Sequence, residues 1–214
     1  MARTPGRGGS RGRTHPPDHH YVDFAHQRAF TGRPFLAHDA PGCGETFCED
    51  VSTISIPFLV ETAQAVLDHA GIRRFHLIGH SMGGLTGLLL AHQEPDRVLS
   101  FVDIEGNVAP EDCFLSRQIL THPSDDDAGF FDDFVERARR SSTTSSALYA
   151  ASLRHKVRPG AVRGIFESMV DLSDHGDLMP KLAEIPRSGH WPMYANPVAM
   201  WERIAGFVRR SEAR

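Results

Sequence analysis

The chain has 214 residues, 40% of them hydrophobic, with 23 Lys+Arg against 27 Asp+Glu for a formal charge of -4, the size of one domain or of one domain and a tail. That near-neutral balance supplies no broad cationic surface for nucleic acid or anionic membrane, and no run approaches the roughly 18 apolar residues of a spanning helix, so neither is expected as a partner. Cys43, Cys48 and Cys113 contain no C-x-x-C pair, which argues against a disulfide framework or a zinc site and points to a reducing cytoplasm.

In chain order, residues 1–20 carry basic charge without the apolar segment of a signal peptide, and they read as a disordered tail. From residue 21 onward, apolar runs alternate with helical periodicity, the pattern of an α/β protein with a parallel sheet. Residues 21–30 read as a short helix, and the apolar run at 34–39 reads as a buried strand feeding the Gly/Pro turn that follows it. Ser55 can cap a helix over 56–70, with Pro57 in its first turn. Leu59, Ala63, Val66, Leu67 and Ala70 fall on one face until Gly71 stops it.

Residues 73–79 form the next predicted strand, running straight into an apolar, glycine-containing helix. After a turn at Pro95-Asp96, residues 98–106 form a third strand. Residues 110–180 change character, with charged helical segments around 111–121, 127–140, 145–156 and 161–171, and they read as a helical cap inserted into the 21–109 core. The remainder, 181–214, offers a short strand at 181–186, a turn, and a last helix opened by Asn196-Pro197. Trp201, Ile204, Ala205 and Val208 share one face of that helix.

The chemistry-bearing feature is Gly79-His80-Ser81-Met82-Gly83, a G-x-S-x-G sequence between a predicted strand and a predicted helix. So sharp a reversal forces the serine into a strained conformation, lets small residues two before and two after it pack closely, and lifts its hydroxyl above the sheet edge. The same geometry aims the first amides of the helix, that of Met82 among them, at any oxyanion formed beside Ser81. A serine nucleophile needs a base, and for this arrangement the chain order is serine, acid, histidine. His190, in the turn before the last helix, is the candidate base.

The GHSMGG segment after RRFHLI, together with HDAPGCGET and SGHWPMYANP, resembles the α/β-hydrolase superfamily of serine esterases. The resemblance implies a parallel α/β-hydrolase-like core with a helical cap over the substrate. It also implies Ser81 as nucleophile, Met82 as an oxyanion donor and His190 as base. Two departures stand out. The family's opening strands and the loop after its third strand, which supplies a second oxyanion donor, have no counterpart here. About one strand and its helix are also missing before His190, where the family usually carries its acid.

Glu105, at the end of the strand after the nucleophile helix, occupies the place some members use for the acid; Asp103, two residues deeper, and Asp174 and Asp177 near the cap exit are weaker candidates, and Glu184 reads as solvated. With its third strand absent, the reduced sheet must either pair 34–39 directly with 73–79 or carry a gap, whose unpaired backbone groups and exposed edge would leave the chain marginally stable or completed by a second copy in a homodimer.

Two functions remain open. The first is a serine hydrolase acting on a small ester, thioester or related acyl substrate through an acyl-enzyme, with no cofactor or metal. The second is a truncated, catalytically weak or inactive relative, acting as a binding protein or surviving as a gene fragment.

Overall fold

The computed structural model describes residues 28–123, 125–141, 144–178 and 197–212. The predicted tail, the start of the predicted first helix, the predicted strand at 181–186, Glu184 and His190 lie outside the described residues. Within them the predicted helix at 21–30 survives only as a 3-10 turn, Arg28–Phe30.

Two strands, β1 (Phe75–His80) and β2 (Val98–Ile104), pair in parallel, with Gly79 opposite Asp103 and His80 opposite Ile104. The connection between them is helix α2 (Met82–Gln93). Ahead of β1, helix α1 (Ile56–His69) begins where expected: the Ser55 side chain accepts from the Phe58 amide, Pro57 sits in the first turn, and the chain leaves at Gly71 with φ +67°.

Alternation along β2 sorts its side chains between two layers. Phe101 faces α2, where a Cβ on Gly87 would lie 2.8 Å from the Phe101 ring and 3.4 Å from Leu77. Val102 and Ile104 face the other way, into a cluster with Phe30 and with Trp201, Ile204, Ala205 and Val208 of helix α6 (Pro197–Glu212). Trp201 is 2% exposed and meets Phe30 edge-on, ring centroids 6.1 Å apart. The four residues expected on one face of the last helix are all buried against the sheet.

The expected strand at 34–39 does not form: residues 33–40 have no regular secondary structure. Its apolar run is not buried, with Phe35 and Leu36 38% and 43% exposed, so a short Phe-Leu pair does not earn a place in the sheet. The segment after it docks instead on the helical region. Gly44 N–H donates to Lys156 O at 2.8 Å, Arg158 N–H donates to Gly42 O at 2.9 Å, and the Arg158 guanidinium reaches Thr46 O at 2.7 Å. Direct pairing of 34–39 with 73–79 is therefore absent.

After β2 come helices α3 (Asp127–Arg139), α4 (Thr144–Lys156) and α5 (Val162–His175). The helix expected over 111–121 is two 3-10 turns, Pro110–Cys113 and Ser116–Thr121. The reason is visible in the spacing: Cys113, Ser116 and Ile119 are all buried and lie three residues apart, and a 3-10 turn of three residues stacks them on one face.

A cluster of Ile119, Phe130, Phe131, Val135, Ala150, Leu153 and Val162 gives these helices a core of their own. Helix α5 joins this region to the rest. Its Ile165, Met169 and Val170 pack with Ile56, Leu59, Leu85 and Leu88, and Ser168 Oγ accepts the Ile56 amide at 2.8 Å. All three cysteines are free thiols, and burial pushes that of Cys43 up to about 11. No helix among the described residues is long and apolar enough to cross a membrane.

Candidate active site

Ser81 is the single residue between β1 and α2, and its two backbone groups belong to different elements. Its N–H donates to Ile104 O at 3.0 Å, extending the parallel ladder, while its carbonyl accepts from Gly84 at 2.8 Å and Leu85 at 3.2 Å and starts the helix. Joining these commitments across one residue places Ser81 at φ 51°, ψ -124°. A non-glycine residue pays on the order of 1–3 kcal/mol for such a conformation, which persists only where the surroundings enforce it.

Glycines enforce it here. A Cβ on Gly79 would overlap the Gly83 carbonyl, and one on Gly84 would overlap the Asp103 carboxylate and lie 2.8 Å from Gly106 Cα. Gly83 differs: among the described residues nothing lies within 4 Å of where its Cβ would be. The close-packing positions are therefore two before and three after the serine, rather than two on each side.

Helix α2 then presents its unpaired N-terminus beside Ser81. The amides of Gly84 and Leu85 are spent on the Ser81 carbonyl, and helix geometry gives those of Met82 and Gly83 no carbonyl to bond. Negative charge developing next to Ser81 would meet these amides and the positive end of the helix dipole.

The loop leaving β2 supplies the surrounding polar groups. Glu105 breaks the strand at φ 53°, and because His80 pairs with Ile104, Ser81 and Glu105 leave their strands side by side. Asn107, 6% exposed, accepts the Ser81 hydroxyl on Oδ1 at 3.3 Å and donates from Nδ2 to Asp112 O at 2.9 Å.

Asp103 lies beneath the elbow, between Gly84 and Gly106, and its Oδ1 is buried without a hydrogen-bond partner among the described residues. Burial pushes its carboxyl up from 3.8 to about 6, with the charges of Asp112 and Glu105 adding, against backbone hydrogen bonds at Gly106 and Ile104.

The structure thus brings Ser81, the Met82 amide and Glu105 to one end of the sheet, while His190 lies outside the described residues. Asp174 is engaged elsewhere, in a two-pronged contact with Arg117 at 2.5 and 2.7 Å that holds its carboxyl below the ordinary range. Among the described residues no group of three His, Cys, Asp or Glu is placed to hold a metal ion. Asn107 escaped the sequence reading. Its signal was faint, a single amide two residues past Glu105 in a loop.

A family model for the α/β-hydrolase fold matches residues 6–164. The RutD protein of Klebsiella pneumoniae strain 342, named for carbamate hydrolysis, is 34% identical over 91 residues, covering 41% of this chain and 34% of the relative. The pimeloyl-[acyl-carrier protein] methyl ester esterase of Aeromonas salmonicida is 33% identical over 107 residues, covering 46% of this chain and 39% of the relative. The matches therefore span little more than a third of these curated relatives.

Among solved structures, the N-acyl homoserine lactonase AidH superposes with a TM-score of 0.56 at 15% identity, covering 80% of this chain and 77% of that one. A hydrolase from Pseudomonas aeruginosa PA01 gives 0.55 at 20% identity, covering 79% and 77%. With an elbow serine between strand and helix, a parallel sheet flanked by helices on both faces, and a family match over most of its length, the chain belongs to the α/β-hydrolase fold family.

Proposed function

We propose that the protein is a serine hydrolase acting on a small ester, thioester or related acyl substrate. Ser81 attacks the carbonyl carbon, His190 takes the hydroxyl proton and later returns one to the leaving group, and the Met82 amide stabilises the oxyanion. Glu105 holds the imidazole in the tautomer this requires. The observation that carries the reading is the conformation of Ser81, a non-glycine residue at φ 51° held between a strand and the open N-terminus of α2.

The relatives named above act, by their names, on a carbamate, a methyl ester and a lactone. These share a carbonyl that passes through a tetrahedral oxyanion when attacked, and that common step is what the elbow serves. The helices between β2 and α6, read as a cap, would bound the acyl pocket. Ser81 argues against chemistry that starts from a carboxylate nucleophile.

A second reading, a silent relative that binds without turning over, is favoured by one observation: the Ser81 hydroxyl donates to a neutral amide. Labelling the folded protein with a serine-directed fluorophosphonate, read by intact mass and peptide mapping, separates the two. The hydrolase reading expects a stoichiometric adduct on Ser81 that is lost in Ser81→Ala and strongly reduced in His190→Ala. An unlabelled, folded wild type refutes it.

A further inference from the structure

We propose that Asn107 is a positioning residue that holds the Ser81 hydroxyl in a resting hydrogen bond, in competition with the base, and that the helical segment after β2 sets the strength of that hold. The inference rests on the reading of Ser81 as nucleophile.

The direction of the hydrogen bond follows from the chemistry of the amide. An asparagine offers one accepting oxygen and one donating nitrogen. Nδ2 lies 2.9 Å from the carbonyl oxygen of Asp112, which can only accept, so this contact fixes the amide orientation. Oδ1 therefore faces Ser81, and at 3.3 Å it accepts the one hydrogen the hydroxyl carries. A base that is to take that hydrogen needs it turned toward its own nitrogen. The two arrangements exclude each other, and catalysis begins only after the hydroxyl swings from Oδ1 to the base. No covalent bond changes in that step; one hydrogen bond is exchanged for another.

The hold is anchored from outside the elbow. Asn107 is 6% exposed, and its two anchors come from different parts of the segment after β2. The Asp112 carbonyl belongs to the 3-10 turn Pro110–Cys113, and the Ser173 hydroxyl of α5 donates to the Asn107 carbonyl at 2.9 Å. Ser173 Oγ in turn lies 3.1 Å from the Cys113 thiol, which is fully buried. A displacement of α5 or of this turn, as when a substrate seats against the cap, shifts Asn107 and loosens the hydroxyl. At 3.3 Å the bond is longer than the usual hydroxyl contact of about 2.7–2.8 Å, which suits a hold meant to be released.

The test is the rate of fluorophosphonate labelling at Ser81 in the full chain, for wild type, Asn107→Ala and Ser173→Ala, with folding verified by far-UV circular dichroism and Ser81→Ala as blank. Removing a neutral hydrogen bond of this kind should speed labelling by about three- to tenfold in Asn107→Ala. Because an amide does not titrate, the gain should be the same at every pH, with the midpoint of the pH-rate curve unmoved.

Ser173→Ala, which cuts one anchor and leaves the amide in place, should speed labelling by a smaller factor of about two, and it carries the test if Asn107→Ala does not fold. A purely structural role predicts slower labelling in both. If wild type labels and the folded variants label no faster, the resting hold is wrong and the nucleophile stands. If wild type and variants alike stay unlabelled, the nucleophile reading fails first. Labelling that appears only in Asn107→Ala supports the resting hold while refuting the wild type as a working hydrolase.

Discussion

Replacing Asp103 by asparagine tests whether the carboxyl beneath the elbow is a charge the fold tolerates rather than one it uses. Its Oδ1 is buried against Gly84 and Gly106 without a hydrogen-bond partner among the described residues, and burial lifts its carboxyl from 3.8 to about 6. A folded-state value above the unfolded one means the native protein binds the proton more tightly. The stability Asp103 allows is complete below about pH 4 and is lost as pH rises through about 6. Over that interval the rise is worth about 3 kcal/mol at roughly 1.36 kcal/mol per pH unit, and because the residue is only partly buried, solvent screening brings it to about 1–2 kcal/mol.

Asparagine has the same shape and no charge. Wild type and Asp103→Asn should therefore be equally stable at pH 4, and the variant should be more stable by about 1–2 kcal/mol at pH 8. Urea unfolding at pH 4, 5, 6, 7 and 8 measures both. The difference between the two proteins cancels the opposite trends of the exposed carboxylates Glu136 and Glu212, each held down to about 2, by Arg139 and Arg33 respectively. A difference independent of pH across 4–8, or an asparagine variant less stable at pH 8, refutes the argument.

Other expectations follow from the same geometry. Gly84→Ala places a Cβ into the Asp103 carboxylate and should destabilise by about 1–3 kcal/mol, whereas Gly83→Ala, facing open space among the described residues, should be neutral or stabilising by about 0.5–1 kcal/mol; thermal melts compare them. Trp201→Ala empties the centre of the α6 cluster and should lower stability by about 3–5 kcal/mol in urea unfolding. Ser168→Ala leaves the buried start of α1 without its acceptor and should lower stability by about 1–3 kcal/mol, while Ser168→Thr, which keeps the hydroxyl, should recover part of it. Glu105→Gln should slow fluorophosphonate labelling at least tenfold at pH 7 and Asp103→Asn should not; the reverse would move the orienting role to Asp103.

The elements that were legible in the sequence are those whose local signals and tertiary surroundings agree. For α1 a capping serine, a first-turn proline and a terminal glycine bracket a periodic apolar face, so little was left for packing to decide. The elbow was legible because Gly79 and Ser81 are required by backbone geometry. The run at 34–39 misled because apolarity alone cannot distinguish a strand from an exposed segment leading into a loop, here the one at Gly42–Gly44 whose backbone bonds to α4 and to the link before α5. The 111–121 stretch misled by a subtler route: a burial period of three supports a 3-10 turn and lies too close to the α-helical period for eleven residues to separate them.

Asp103 and Asn107 illustrate why the candidate site was read only in outline. A carboxylate two residues inside an apolar strand is visible as an anomaly, but its environment is made by Gly84 and Gly106, one on another element and one past the strand's end. Asn107 matters only because Asp112 fixes its amide and Ser173 fixes its carbonyl, the latter a contact made across sixty-six positions of chain. These contacts join Ser81, Asn107, Asp112 and Ser173 into one hydrogen-bonded unit beside the elbow. Both anchors of Asn107 lie in the segment after β2, one in the 3-10 turn Pro110–Cys113 and one in α5. A buried polar unit of this kind is sensitive as a whole, since each member left unpaired raises the free energy of its neighbours. Substitutions in α5 at Ser173, far from the elbow in sequence, should therefore be felt in the reactivity of Ser81 before they are felt in the integrity of the helix.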